Sequence, residues 1–499
     1  MSSQISSHSN GSATCVITAP GTAHHKPTAP QDRSATTSSY SSARPLGTNA
    51  IPLTPMNNHV TSSSPHLEAD DNWPPPVDAV DDESNLEQWN HPRINLFRTS
   101  AAFWALFLTG VNDGTYGAMI PYLESYYNLS YLLVSLIFLS PAVGYILSAA
   151  LNNTIHLRYG QRGIAILSPA CHVISYIIIS FHPPFPVLVL TYLLVGIGNG
   201  LADSAWNAWI GAMRDPNQVL GFLHAFYGAG ATIAPLCATA LIVQGHAHWF
   251  QWYYVMLGGA LFEAFSCVWA FWRYDGAAYR ATHETASSPL PATTPATPSK
   301  KKSLMITALT TAPHARVIWL AALFLLGYVG VEVCLGGWIV EFMRRERSGQ
   351  ALASSIAATG FWLGITIGRL VLGFVTPRLG EKLSITIYLP CAFALQLVFW
   401  LVPSFTVSAV AVALQGFFLG PMFPAAIVAC TKLLPKRLHV AGIGFAAAFG
   451  GSGGAILPFA TGVLAQAKGV QVLQPIVLAL LVTTWLLWLG LPRIERKRE

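Results

Sequence analysis

Four carboxylates stand inside long apolar runs of the sequence: Asp113, Asp203, Glu263 and Glu332. An ionisable group at the centre of a bilayer costs about 2.5–3.5 kcal/mol or more, so one persists there only where it is paired, hydrogen-bonded or functional. Such a carboxylate can take up and release a proton, because burial disfavours its charged form. It can hold a cation or a hydroxyl-bearing solute. It can also accept hydrogen bonds that merely fix helices together. Polar and aromatic residues share these runs: Asn112, Asn207, His224, Gln415, Tyr227, Tyr328, Trp206, Trp338 and Trp362. Aromatic faces with a few hydrogen-bonding groups suit sugars and other oxygenated small molecules, and suit amphiphilic metabolites equally. Most aromatics in a membrane helix face lipid or core, so only part of this set is expected at a cavity. His224 has no visible ionic partner and reads as a packed histidine. The seven cysteines include no CxxC pair, and six stand singly in apolar runs, so no metal, cofactor or disulfide is expected. No His-Glu-x-x-His or Gly-x-Gly-Asp motif is present, which argues against an intramembrane enzyme.

The elements that must position these residues are membrane spans. Of 499 residues 53% are hydrophobic and 10% charged, where a soluble domain carries about 25% charged residues. A bilayer core of about 30 Å takes about 20 helical residues. Runs of that length fall near 97–121, 129–152, 163–181, 186–211, 217–243, 249–272, 315–342, 351–375, 383–402, 405–430, 438–465 and 472–491. The fold class is therefore all-α, with twelve transmembrane helices. The net charge of +6 comes from basic residues scattered singly, with no basic stripe, which excludes nucleic acid as a partner. With the first tail cytoplasmic, twenty Lys and Arg residues flank the inner ends of the spans. The outer loops carry four: Arg344, Arg345, Arg347 and Lys468. That asymmetry places both ends of the chain inside, and the loop 343–349 runs against it. Residues 1–96 read as a disordered cytoplasmic tail, rich in Ser, Thr and Pro and ending in an acidic patch. Residues 273–314 read as a flexible linker carrying Lys300, Lys301 and Lys302. They divide a first six-helix half (97–272) from a second (315–491), and 492–499 form a basic tail.

The two halves repeat one another. Arg158-Tyr-Gly160-Gln-Arg162 after the second span returns 220 residues later as Arg378-Leu-Gly380-Glu-Lys382. Gly144, Gly196 and Gly200 return at the same offset as Gly364, Gly416 and Gly420. In the fifth span Gly221, Phe222, Phe226, Gly228, Gly230, Ile233 and Pro235 return 223 residues on as Gly444, Phe445, Phe449, Gly451, Gly453, Ile456 and Pro458. Duplicated six-helix halves around a cytoplasmic linker are the pattern of a transporter that rocks one half against the other. The glycines of spans five and eleven would let helices from opposite halves approach closely and slide.

On these residues the chain resembles the major facilitator superfamily over about 97–491. The loop at Arg158 and Arg162 is similar to that family's basic cytoplasmic motif, with Leu157 in place of the usual acid. The second copy, Gly368-Arg369-x3-Gly373-x4-Arg378-Leu-Gly380, is fuller. The resemblance implies that Arg158, Arg162, Arg369 and Arg378 belong to a gate that latches the halves. It also implies that spans one, four, seven and ten line a cavity while three, six, nine and twelve support it. Two segments look most like the fucose–proton symporter group and related fungal members. They are Gly110-Val-Asn112-Asp113-Gly114-Thr-Tyr-Gly117, ending at Pro121, and Gly198-x2-Leu201-x-Asp203-Ser204-Ala205-x-Asn207. That likeness implies proton coupling at Asp203, with Asp113 structural, solute-binding or a second proton site. Asn112 and Gly114 suggest a locally unwound turn beside it. Glu332, Asn207, Tyr227, Tyr328, Trp338, Gln415 and Asn112 are the candidate solute-binding residues, and Glu263 reads as structural.

The expected function is transport of a small organic solute by alternating access, coupled to protons. Export of a hydrophobic metabolite is the alternative within the same fold, and a nutrient sensor is a third reading, hinted at by the long tail. The expected partners are the solute, the proton and the lipid bilayer, with the chain a monomer in the plasma membrane. Asn128-Leu-Ser130 is a glycosylation sequon on an outer loop, pressed close to the membrane.

Overall fold

The computed structural model describes residues 87–214, 216–277, 309–435, 438 and 442–492. The expected tail over 1–86, the linker with Lys300, Lys301 and Lys302, Lys436, Arg437 and the basic tail from 493 lie outside the described residues. Twelve helices are long and apolar enough to cross a membrane, as the sequence predicts. They are α1 (Ile94–Tyr127), α2 and α3 (136–159 and 161–180), α4 (Phe185–Gly211), α5 (Gln218–Val243) and α6 (Trp249–Phe271) in the first half. In the second half they are α7 (His314–Arg345), α8 (Ala351–Leu379), α9 (Glu381–Leu401), α10 (Phe405–Leu433), α11 (Gly444–Lys468) and α12 (Val470–Gly490). The end of the bundle that carries Arg158, Arg273 and Arg378 is here the basic end; the opposite end carries Tyr127, Trp249 and Arg345.

The sequence repeat is a repeat of contacts. Gly160 and Gly380, 220 residues apart, both adopt positive φ (67° and 89°) and turn α2 into α3 and α8 into α9. A left-handed backbone of this kind favours glycine. A Cβ on Gly196 would stand 2.1 Å from the carbonyl oxygen of Pro141, and one on Gly416 would stand 2.3 Å from that of Phe361. Gly144 likewise meets Leu193 on α4, and Gly364 meets Ala413 on α10. Each contact is its counterpart shifted by 220. In α5 and α11 the pattern continues: Gly230 abuts the Phe107 carbonyl on α1, and Gly453 abuts that of Leu326 on α7. Phe226 stacks on Phe103, and Phe449 packs edge-on against Trp319. Contrary to the expectation that the glycines of spans five and eleven bring opposite halves together, Gly230 and Gly453 pack backbone to backbone within their own halves. Of the four in α5 and α11 that repeat with them, only Gly228 faces the other half among the described residues, at Thr366 on α8.

Across the halves, α1 packs on α7, α2 on α11 and α5 on α8. The opposite end is shut. Added Cβ atoms on Gly117 and Gly462 would lie 2.3 Å from the Gly336 carbonyl oxygen and 2.4 Å from Ser135 Cβ. The Tyr131 hydroxyl donates to Glu341 Oε1 at 3.1 Å, and Tyr131 N–H donates to Gln466 at 2.9 Å. Arg345 bonds Glu341 at 2.7 Å and reaches Glu124 at 3.3 Å. Arg347 donates to the carbonyls of Phe399 and Trp400. These partners give a physical reason for basic residues on the segment 343–349, where the sequence pattern ran against them. At the basic end, added Cβ atoms on Gly211, Gly221, Gly444 and Gly451 would meet nothing within 4 Å among the described residues.

Candidate functional site

Asp113 lies halfway along α1, opposite α5. Its Oδ2 accepts from the Tyr227 hydroxyl at 2.9 Å and its Oδ1 from Asn112 Nδ2 at 3.2 Å. Asn112 is itself held by Tyr116 at 2.7 Å and by the Tyr176 hydroxyl at 3.4 Å. The backbone here does not unwind, contrary to the expectation from Asn112 and Gly114: α1 runs unbroken from Ile94 to Tyr127. Gly114 serves close approach instead, since a Cβ there would stand 2.5 Å from the Ala231 carbonyl oxygen. One element away, Asp203 on α4 accepts from Asn207 Nδ2 through both Oδ1 and its own carbonyl, each at 2.8 Å. Among the described residues neither Asp113 nor Asp203 makes an ion pair, and the two are close enough for their charges to interact.

The second half holds a different arrangement. Glu332 on α7 accepts from Arg369 Nη2 on α8 at 3.0 Å. Arg369 Nε reaches the Gly420 carbonyl at 3.3 Å. The sequence makes that carbonyl free: four residues on stands Pro424, which has no N–H to donate back to it. A proline in a membrane helix thus creates an acceptor that a neighbouring side chain satisfies. Arg369, assigned to the gate by resemblance, is placed at Glu332 instead. Tyr328 lies beside this pair, and Tyr227 is within electrostatic reach of both Glu332 and Arg369, so the two clusters face each other across the halves. The Tyr328 hydroxyl and Trp362 Nε1 are buried donors that make no hydrogen bond within the described residues.

Other expected residues go elsewhere. Trp338 is fully buried, donates to the Pro458 carbonyl at 3.0 Å and packs on Tyr131, so it belongs to the closed end and not to the cavity wall. Gln415 points into its own half, where it donates to Gln396, which in turn donates to Gln474, an amide ladder across α10, α9 and α12. Trp206 stacks on Phe271 inside the first half. Arg158 and Arg162 sit against Tyr159 and Trp272 of their own half, and Arg162 N–H donates to the Tyr274 carbonyl at 2.9 Å. Arg378 is exposed at the end of α8. Asn128 is exposed where α1 ends, while Ser130 of its sequon caps the following turn. Glu263 is bonded to His172 at 2.8 Å, a partner the sequence reading did not single out. Nothing in the spacing of 91 residues could have paired them. Gly450-x-Ser452-x-Gly454 has the letters of a hydrolase nucleophile turn, yet Ser452 lies within the α11 span and donates to the Phe449 carbonyl at 2.6 Å. That motif needs a strand–turn–helix context, which is not found here. No cluster of three or more metal-ligating side chains occurs among the described residues.

A family model for the Major Facilitator Superfamily matches residues 102–403 and 333–499. The chain is 31% identical over 405 residues to Bypass of stop codon protein 6 of Saccharomyces cerevisiae, covering 76% of this chain and 80% of the relative. It is 22% identical over 364 residues to the glucose/mannose transporter GlcP of Bacillus subtilis, covering 72% and 86%. Among solved structures, the D-xylose-proton symporter superposes with a TM-score of 0.61 at 15% identity, over 80% of this chain and 98% of that one. The transporter FucP in its outward conformation superposes with a TM-score of 0.55 at 15% identity, over 81% and 99%.

Proposed function

The chain belongs to the Major Facilitator Superfamily, and from that premise we propose that it is a proton-coupled symporter of a small oxygenated solute, sugar-like in its chemistry, working by alternating access. The observation that carries the proposal is the contrast between the two clusters. Glu332 has Arg369 as counter-charge. Asp113 and Asp203 are held by amide and phenol donors and make no ion pair among the described residues. A carboxylate removed from water without a counter-charge is neutralised by a proton instead. Two such groups on adjacent cavity-lining helices form a proton site that can load on one side of the membrane and unload on the other. We assign coupling to Asp203, with Asp113 as its partner.

Glu332, Arg369, Tyr227, Tyr328, Asn112 and Asn207 supply the hydrogen-bonding groups for the solute. A solute rich in hydroxyl oxygens can accept from Tyr328, Trp362 and Arg369 and donate to Glu332. The names of the relatives support this class: one transports glucose and mannose, and one solved neighbour couples D-xylose to protons. The basic end faces the cytoplasm, as the asymmetry of Lys and Arg directs. The described arrangement is then the state open to the inside. The protein works as a monomer, and the plasma membrane is its site.

The test is reconstitution into liposomes holding a pH dye, with a panel of sugars, polyols, carboxylates and amphiphilic metabolites. One solute class, carbohydrate-like, is expected to drive proton movement that Asp203→Asn abolishes. Solute movement with no proton signal at any pH would contradict the coupling. A response only to amphiphilic metabolites would contradict the solute class.

A further inference from the structure

The first half contains a second titratable pair that the transport site does not use. His172 on α3 and Glu263 on α6 are both fully buried, and His172 Nδ1 lies 2.8 Å from Glu263 Oε2. The other polar atom of each, His172 Nε2 and Glu263 Oε1, has no hydrogen-bond partner among the described residues. Helices α3 and α6 face away from the cavity in this fold, so neither residue is placed to touch solute. The pair is nevertheless connected to the site. The His172 ring stacks on Tyr176, with centroids 6.0 Å apart and planes at 16°. The Tyr176 hydroxyl donates to Asn112 Oδ1 at 3.4 Å, and Asn112 Nδ2 donates to Asp113 Oδ1 at 3.2 Å. The other side of the imidazole rests on α4, where a Cβ on Gly198 would stand 2.6 Å from Nε2. Gly198 and Asp203 share one segment of the sequence, so the glycine clears room for the histidine one and a half turns before the proton site.

We propose that His172 and Glu263 are positioning residues for proton coupling: a buried pair that shares one proton and sets the charge balance at Asp113 through Tyr176 and Asn112. The argument is electrostatic. An imidazole and a carboxylate at hydrogen-bond distance hold a proton between them, and in a medium of low dielectric that proton's field is weakly screened. His172 is near enough to act electrostatically on Asp113. Cys171 and Tyr176 from α3, Cys267 from α6 and Asp113 from α1 are in electrostatic reach of the pair itself, Tyr116, Tyr192 and Tyr253 surround Tyr176, and Asp203 acts on Asp113. None of them is a cation. Of the described groups whose charge acts on Asp113, Asp203 is acidic and His172, held by Glu263, is the basic one. The pair makes the loading of Asp113 responsive to the state of helices that never contact solute.

This inference rests on the proton-coupled reading above, and two readouts keep them separable. One is the infrared carboxyl band of Asp113, assigned by its loss in Asp113→Asn and titrated without solute. The other is the pH at which solute-driven proton movement is half-maximal in liposomes. Glu263→Gln and His172→Gln are each expected to move both midpoints by about one pH unit, a tenfold change in proton concentration, with the solute KM at saturating proton unchanged. Tyr176→Phe removes only the hydroxyl link and is expected to move them by less. Midpoints unchanged in folded Glu263→Gln and His172→Gln protein overturn the inference, as does an Asp113 band that does not titrate. If neither of those variants folds, Tyr176→Phe decides, and an unchanged midpoint there overturns it too. Wild-type protein that moves no protons while the Asp113 band still shifts in the variants overturns the proposed function and the coupling role with it, and leaves only the link from His172 and Glu263 to Asp113 standing.

Discussion

Counter-charge separates the four carboxylates that sequence alone groups together. Asp113 and Asp203 keep amide and phenol partners, whereas Glu332 has Arg369 and Glu263 has His172. The positions of all four were legible, because an acidic residue inside an apolar run is visible without any structure. Their partners were not. Pairing depends on the phase of each helix and on which neighbour it packs against, and the sequence separations of 37 and 91 residues carry neither. The same limit explains Trp338 and Gln415, whose types suit a binding site but whose side chains turn into a closed interface and an amide ladder. A prediction belongs at this scale. Arg369→Ala leaves Glu332 buried beside no cation, and breaking a buried pair in this way costs about 3–5 kcal/mol. Thermal unfolding in detergent is expected to fall accordingly and solute binding to be lost. Adding Glu332→Gln is expected to recover most of the stability but not the binding. Full stability in Arg369→Ala alone would show that the pair is not buried in the working protein.

At the scale of elements, glycine placement carries the architecture. The repeat was readable because close helix contacts in a membrane demand small residues at fixed depths, so duplicated contacts leave duplicated letters. Gly160 and Gly380 mark equivalent turns, and Gly196 and Gly416 equivalent crossings. The sequence did not tell which glycines join the halves. That role falls to Gly117, Gly336, Gly337 and Gly462, which lie where α1 meets α7 and α2 meets α11. It also did not show that α1 stays helical at Gly114. A side chain on Gly117 must push against the Gly336 carbonyl, a neighbour of backbone that cannot give way. Gly117→Leu is therefore expected to wedge the closed end apart. Ser135, fully buried at that end, provides the readout. A cysteine placed there should react with a membrane-impermeant maleimide many-fold faster in the Gly117→Leu background. Equal rates would mean that the α1–α7 contact does not close the path.

For the molecule as a whole, the twelve spans and the relation between the halves were accessible from hydropathy and the repeat. The start of the first half was not. Residues 87–93, read as the end of a tail, pack onto the basic end: Glu87 accepts from Tyr274 at 2.6 Å and from Asn95 at 3.2 Å, and its carbonyl accepts from Arg214 N–H at 3.0 Å. Arg98 lies over the Tyr274 ring at 4.0 Å and donates to Asn95. Short polar segments of this sort have no periodicity to reveal them. Removal of residues 1–86 is accordingly expected to leave flux and melting temperature unchanged, whereas removal through Arg93 should lower the melting temperature by several degrees. Loss of flux on removing 1–86 alone would favour a signalling role for the tail. The central claim is that an uncompensated carboxylate on α4 carries the proton, and it is tested most directly by comparing two modes of transport in Asp203→Asn liposomes. Exchange of labelled for unlabelled solute needs no net proton movement, while accumulation driven by a pH gradient does. The account predicts that exchange survives and gradient-driven accumulation disappears. Accumulation at the wild-type level in Asp203→Asn would contradict it.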